Sequence, residues 1–144
     1  MKSFKTSQIV LMGDLNHHGT LFVGKAITWL SEAGFMTATQ AHKDPMELVY
    51  YAMNGFKFLH PVKGGEIVNY CGKIVALGKT SITVAVSAST LSNPDIFAEG
   101  FITYVVIDKE TRKKKPHNLT LDEPKTEEER LLREKAKRYL AAIH

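Results

Sequence analysis

The chain has little of what secreted and membrane proteins usually carry. Its 144 residues include a single cysteine, Cys71, which cannot form a disulfide within the chain. No apolar run reaches the roughly 18 residues that a membrane-spanning helix needs. The first ten residues, MKSFKTSQIV, contain no long apolar stretch before a cleavage site. We therefore expect a protein of the reducing cytoplasm that does not associate with membranes.

Long spacers rich in glycine, serine or proline are also missing from the sequence. Hydrophobic residues make up 44% of the chain, which is typical of an ordinary globular protein. A chain of this length can bury one hydrophobic core. We therefore expect one main domain.

The formal charge is +4, but its distribution does not favour nucleic-acid binding. The cations cluster at Arg112–Lys115 and again after residue 130, with acidic residues interleaved around them. Only Tyr139 lies among them as an aromatic that could stack on a base. Such a charge run usually forms a solvated face, so a basic nucleic-acid-binding domain is an alternative that rests on charge alone.

The stretch Gly19–His42 predicts the long helix around which the chain is organised. It contains good helix formers, no proline, and apolar residues on most sides, so we expect it to be buried over most of its circumference. A narrow polar arc remains, made of Gly24, Lys25, Thr28, Ser31 and Glu32. Glu32 is its only carboxylate, and it either pairs with a cation such as Lys25 or takes part in catalysis.

Apolar and β-branched runs separated by turn residues predict one strand before this helix and four after it. The runs are Ser7–Met12, Leu48–Pro61, Glu66–Leu77, Ile82–Ala88 and Ile96–Asp108. We expect a bulge at Gly72 and a break at Ser92–Asp95. The connections between the later strands are too short for parallel crossovers, so the pattern predicts an antiparallel sheet with the helix on one face.

Two further segments carry local signals. The polar loop Gly13–Gly19 holds side chains that can cap the helix that follows. Its adjacent His17 and His18 make a poor metal site without further ligands, so we expect them to cap the helix or line a pocket. Near the end of the chain, Thr126 and Glu129 form a capping-box pattern that predicts a C-terminal helix with a modest apolar stripe.

The segment DLNHHGTLFVG, Asp14–Gly24, followed by a long helix with an acidic residue near its middle, resembles the signature of the hotdog-fold acyl-CoA thioesterases. It is most similar to the oligomeric cytosolic acyl-CoA hydrolase branch, and Phe58–Pro61 (FLHP) matches the end of that family's second strand. The resemblance implies an α+β hotdog fold, with an antiparallel sheet of five to six strands wrapped around one long central helix. Residues 1–122 would form this domain and residues 123–144 a C-terminal helical extension.

The resemblance also implies a catalytic site. Asn16 matches the family's loop asparagine, which orients the water or the carbonyl, and Val23 and Gly24 match the helix start whose amides polarise the thioester carbonyl. Ser31 stands in the place of the family's catalytic aspartate, whereas Glu32 matches the second acidic position. We therefore expect Glu32 to act as general base or nucleophile. No metal is expected.

The turn Gly78, Lys79, Thr80 and Ser81 matches the family's basic-small-small turn along the coenzyme A chain. The implied activity is hydrolysis of acyl-CoA to a free carboxylic acid and coenzyme A, in fatty acid metabolism. It needs no cofactor, because coenzyme A belongs to the substrate and product. The implied site lies at a subunit interface, with Glu32 from one subunit and Asn16 from its partner. The implied partner is a further copy of the chain, in dimers and in a trimer of dimers. Because Ser31 replaces the aspartate, a non-catalytic acyl-CoA-binding hotdog protein is the alternative.

Overall fold

A computed structural model describes residues 2–143, which form one antiparallel sheet and two helices. The strands are Phe4–Ile9 (β1), Leu48–Phe58 (β2), Ile67–Leu77 (β3), Ser81–Thr90 (β4) and Asn93–Val106 (β5). The helices are Val23–His42 (α1) and Glu127–Ile143 (α2). The sheet order is β1-β3-β4-β5-β2, which leaves β1 and β2 at its edges. The predicted antiparallel α+β fold is thereby confirmed.

Helix α1 lies across the inner face of the sheet and supplies much of the core. The side chains that it buries are Ala26, Trp29, Leu30, Ala33, Gly34, Thr37 and Ala38. The predicted polar arc of the helix is half-buried or exposed along its length, in contrast to these buried side chains. Lys43 ends the helix in a left-handed conformation, with φ of 77°. None of the helices within residues 2–143 combines the length and the apolar composition that crossing a membrane requires.

Glycines allow the helix to approach the sheet closely. A Cβ on Gly72 would stand 2.1 Å from the Thr37 hydroxyl, and one on Gly34 would stand 2.8 Å from the Ile102 side chain. The prediction of a bulge at Gly72 is wrong, because this residue pairs in regular register with Val86. A glycine is needed there because the helix leaves no room for a side chain.

Two buried tyrosines fasten α1 to the sheet. Tyr70 donates to the carbonyl of Ala26 over 3.3 Å, and Tyr104 donates to the carbonyl of Ser31 over 3.2 Å. Burial raises the pKa of both phenols far above the usual value, so both stay protonated and able to donate. The hydrogen bond from Tyr104 therefore fixes the turn of α1 that carries Ser31 against the sheet.

Two strand boundaries differ from the prediction. Strand β1 begins at Phe4 and ends at Ile9, because the Asp14 carboxylate accepts the Leu11 amide and turns the chain. The predicted break at Ser92–Asp95 is shorter than expected, because the chain turns at Leu91 and Ser92 and β5 already starts at Asn93, which pairs with Thr90. Pro94 is tolerated there because a residue near the end of a hairpin need not donate a backbone hydrogen bond to the neighbouring strand.

Helix α2 packs on the outer face of the sheet of its own chain. Leu132, Ala136 and Tyr139 meet Val75, Ala85 and Phe101 in a second, smaller apolar cluster. The Thr126 hydroxyl accepts the amide of Glu129 over 3.1 Å, which confirms half of the capping box. The Glu129 carboxylate accepts the amide of Lys125 instead of that of Thr126. The division at residue 122 stays a prediction.

The segment 108–122 lies between the end of β5 and the start of α2, and a buried carboxylate holds it in place. Glu47, only 6% exposed, receives Lys115 Nζ on one oxygen and His42 Nε2 on the other, each at 2.8 Å. Hydrogen bonds from Lys115 and His42 hold the pKa of Glu47 below its ordinary value of 4.5. The carboxylate thus joins the end of α1, the start of β2 and the segment 108–122.

We expect Glu47→Gln to lower the thermal unfolding midpoint near neutral pH. Because the folded protein lowers the pKa of this carboxyl, its contribution to stability is present above pH 4.5 and is lost as the pH falls through the lower folded pKa. The difference between wild type and variant should therefore shrink on acidification, in melts recorded from pH 7 to pH 3. Glu110→Gln, at an exposed carboxylate, is the control and should show no such difference. A difference that stays constant with pH would contradict this role.

Candidate active site

The loop before α1 is organised by Asn16. Its side-chain Oδ1 accepts the amides of His18 and Thr20 at 2.9 and 3.1 Å and the Thr20 hydroxyl at 3.3 Å. Three donors to one atom fix which end of the amide is the oxygen. The opposite end, the Nδ2 group, has no acceptor among the described residues. Asn16 therefore retains two N–H donors for a bound group.

The first amides of α1 are also without acceptors in the described chain, as helix geometry requires. Phe22 is the N-cap and gives no side-chain hydrogen bond to the helix, so the expectation that the polar loop caps α1 is wrong. The Phe22 ring lies over Gly24, where a Cβ would stand 2.5 Å from a ring carbon. The amides of Val23 and Gly24 remain free to receive a polarised carbonyl, and that they do so stays a prediction.

Asn16 and Val23 line one cavity of about 480 Å³ together with the end of β2, which we call the amide cavity. Its walls are Asn16, His17, Thr20, Leu21, Phe22, Val23, Phe58, Leu59, His60 and Pro61. His17 thus lines the cavity, one of the two roles expected for it. His60 Nε2 is buried and has no hydrogen-bond partner in the described chain. No role in the site is predicted for His60 from the sequence, although its place in the FLHP segment is a signal.

Ser31 and Glu32 line a second, more open cavity of about 440 Å³, which we call the acid cavity. Phe35, Met36 and Tyr50 complete it. The Glu32 carboxylate is exposed and makes no hydrogen bond or ion pair within residues 2–143. Lys25 Nζ lies 3.6 Å from Asp14 Oδ1 instead. The structural alternative of a Lys25–Glu32 pair is therefore wrong. Sequence reasoning missed Tyr50, since a tyrosine on a strand is an ordinary residue.

The two cavities do not meet within one chain. Gly24 and Glu32 lie eight residues apart on α1, a distance of about 12 Å along the axis. A single water molecule cannot contact both. One chain thus carries two separate half-sites, with the amide cavity near Phe58 at the end of β2 and the acid cavity near Tyr50 at its start.

The turn Gly78, Lys79, Thr80 and Ser81 joins β3 to β4, at the same end of the sheet as the acid cavity. Ile82, just after the turn, pairs with Tyr104, which in turn pairs with Tyr50. His117 holds the turn, because its Nε2 contacts the carbonyls of Gly78 and Ser81 while its Nδ1 accepts the amide of Leu119. Lys79 is exposed and unpaired within residues 2–143. The turn is thereby rigid and presents a free cation.

No group of three histidine, cysteine or acidic side chains within the described residues is arranged to hold a metal ion. The rings of His17 and His18 lie 3.9 Å apart, tilted by 41°. The expectation that no metal takes part stays a prediction.

A five-stranded antiparallel sheet wrapped around one long central helix is the hotdog class of fold. A sequence model of the thioesterase superfamily matches residues 18–95, more than half of the chain. The chain therefore belongs to the thioesterase superfamily. This finding confirms the predicted family and the predicted class of enzyme, a thioester hydrolase.

Individual relatives agree with this assignment. The chain is 27% identical over 135 residues to the uncharacterized acyl-CoA thioester hydrolase YkhA of Bacillus subtilis strain 168, covering 91% of this chain and 75% of the relative. A hexameric acyl-CoA thioesterase in its apo form is 28% identical and superposes with a TM-score of 0.85, covering 97% of this chain and 89% of its own. An acyl-CoA hydrolase from Bacillus cereus is 27% identical with a TM-score of 0.81, covering 94% and 82%.

The structure assigns opposite tasks to the two ends of the Asn16 amide, and this can be tested by Asn16→Asp. Aspartate keeps an oxygen for the loop amides but removes both N–H donors. We expect thioester hydrolysis to fall about a hundredfold, the order expected when the attacking water is no longer held in position, while the thermal midpoint changes little. Asn16→Ala, which removes both ends, should lower activity and also loosen the loop. Full activity in Asn16→Asp would show that the N–H donors are not used.

Proposed function

We propose that the protein hydrolyses acyl-CoA to a free carboxylic acid and coenzyme A, at a site completed by a second copy of the chain. The separation of the amide cavity from the acid cavity, at opposite ends of one unpaired edge strand, carries this proposal. Hydrolysis needs the polarised carbonyl and the base within hydrogen-bond reach of the same water. A single chain does not provide that arrangement.

Pairing of β2 with a second β2 about a twofold axis would complete the site. In an antiparallel pair, the Phe58 end of one strand lies beside the Leu48 end of the other. This brings the amide cavity of one copy to the acid cavity of its partner, twice per dimer. Val49, Tyr50 and Tyr51 on β2 are each at least 40% exposed in one chain, and such an edge favours pairing.

In the composite site, the thioester carbonyl oxygen would accept hydrogen bonds from the backbone amides of Val23 and Gly24. Asn16 would orient the attacking water with its N–H group, and Glu32 from the other copy would accept the proton as the water oxygen bonds to the carbonyl carbon. Collapse of the intermediate breaks the C–S bond. The proton held by Glu32 then passes to the departing sulfur of coenzyme A.

Glu32 is a better candidate than Ser31 for this role. A serine needs an adjacent base to become a nucleophile, and no side chain is hydrogen-bonded to the Ser31 hydroxyl within the described residues. Its neighbour Glu32 points about 100° away around the helix. Glu32 has both carboxylate oxygens free and faces the acid cavity. We infer that Glu32 acts as a general base on water.

The remaining site residues would bind the coenzyme A part of the substrate. Lys79 supplies a cation, and the amides of Lys79 and Thr80 are without acceptors in the described chain, so the turn suits pantetheine or phosphate groups. We further propose that three dimers assemble into a hexamer, as the name of one structural relative states for that protein. We expect the enzyme to act in the cytoplasm, with no cofactor and no nucleic acid.

The assignment predicts that Glu32→Gln lowers kcat about a hundredfold or more, the order expected on losing a general base, with little change in KM. Ser31→Ala should cost far less, and Ser31→Asp, which restores the residue of the resembling family, should raise activity. Release of free thiol from a panel of acyl-CoAs measures both constants. An inactive Ser31→Ala beside an active Glu32→Gln would require a site built on a serine. Wild type that binds these acyl-CoAs without releasing thiol would be a binding protein.

A composite site makes a second prediction, for mixed oligomers. Asn16→Ala and Glu32→Gln chains are each inactive alone, but a heterodimer of the two combines one intact Asn16 with one intact Glu32. Co-refolding equal amounts should place half of the chains in heterodimers and restore about a quarter of wild-type activity. Light scattering should show a dimer or a larger assembly. A monomeric wild type, or mixtures as inactive as their components, would exclude the shared site.

A further inference from the structure

A cavity of about 480 Å³ lies between α2 and the outer face of the sheet, away from both half-sites. We call it the outer cavity. Residues that face α1, such as Gly72, Val86 and Gly100, alternate along their strands with residues that face outward. The outward residues form the floor. The outer cavity is therefore separated from the amide and acid cavities by the thickness of the sheet.

The register of three strands explains why a cavity exists there. Cys71 of β3 pairs with Ser87 of β4, which pairs with Glu99 of β5. In the next row, Lys73 pairs with Ala85, which pairs with Phe101. Small side chains thus meet at the centre of both rows and leave space unfilled beneath α2, which rests on Phe101 and Val75.

One face of α2 forms the roof. Its lining residues, Glu128, Leu131, Leu132, Lys135 and Arg138, follow the spacing of a single helical face. Leu131 and Leu132, with Ile96 and Phe101 below, make much of the wall apolar. A cavity of this volume with a largely apolar wall is within the range of small-molecule sites.

The charges of the outer cavity are unequally satisfied. Lys135 lies 2.8 Å from Glu99 and 5.8 Å from the centre of the Phe101 ring, so it is already paired. The side chains of Lys73 and Arg138 make no hydrogen bond or ion pair within residues 2–143. Two free cations therefore stand beside an apolar wall. Glu128 is the remaining carboxylate and would repel a ligand that carries several negative charges.

We propose that the outer cavity binds a free fatty acid, whose carboxylate pairs with one of the two unpaired cations, Lys73 or Arg138, and whose chain lies along Phe101, Leu131 and Ile96. A single carboxylate needs only one of these cations, whereas a diphosphate would also meet Glu128 and Glu99. An aliphatic chain removes apolar wall from water. Binding here does not depend on thioester hydrolysis, although a free acid is the product of the proposed reaction.

Calorimetric titration with dodecanoate, below its micellar concentration, tests the proposal on the full chain. Wild type should show saturable binding at the outer cavity. Lys73→Ala combined with Arg138→Ala should weaken it tenfold or more, since charge-assisted hydrogen bonds are lost. The control pair Lys113→Ala and Lys137→Ala removes the same charge from exposed positions, the second on α2 itself, and should bind as wild type does.

Filling the cavity gives an independent measurement. Ser87→Leu places a larger apolar side chain on the floor and should abolish dodecanoate binding, with circular dichroism confirming the fold. The proposal is overturned by any of three results: no saturable binding to wild type, equal binding by the cation pair and its control, or undiminished binding in a folded Ser87→Leu. Thiol release from acyl-CoA, recorded separately, keeps the test of the proposed function distinct.

Discussion

The close contact between α1 and the sheet is the constraint on which the rest of the structure depends. The Cα atoms of Gly34 and Gly72 lie where a methyl group would collide with the opposite layer. At this separation, the Tyr104 hydroxyl reaches the carbonyl of Ser31. A larger side chain at either glycine would lift the helix, and the Ser31–Glu32 turn would lose its support. The position of a surface carboxylate is thus determined by packing on the opposite side of its helix.

Most of the fold could be predicted from the sequence, because its signals are local. Runs of apolar residues gave the order of the elements, and the absence of long connections gave the antiparallel sheet. The errors arose where tertiary contacts decide. Gly72 is a glycine because Thr37 lies above it, and Pro94 is tolerated because the strand has a hairpin end there. Thr37 is distant from Gly72 in the sequence, whereas the hairpin end beside Pro94 is local and is set by the pairing of Asn93 with Thr90.

The family resemblance implies the residues of the candidate site and their division between two copies of the chain, but not the two cavities that hold them. The motif around Asn16 and the isolated carboxylate Glu32 are visible in the chain, whereas their division between two cavities depends on where α1 begins and how far it runs. The orphaned Nε2 of His60 becomes visible only once its surroundings are known. The outer cavity rests on a register that aligns Cys71, Ser87 and Glu99 across three strands, and no local pattern marks such a row.

The sheet order has a consequence for how the chain reaches this structure. Strands β3, β4 and β5 are neighbours both in sequence and in space, so their contacts close short loops. Strand β2 must instead pair with β5 across the whole length of the intervening meander, and such closure costs more conformational entropy. Helix α1 gains its contacts only when that meander exists. We therefore expect the three-strand meander to be the folding nucleus, and the β2 edge proposed to join two copies to be among the last parts of the chain to become ordered.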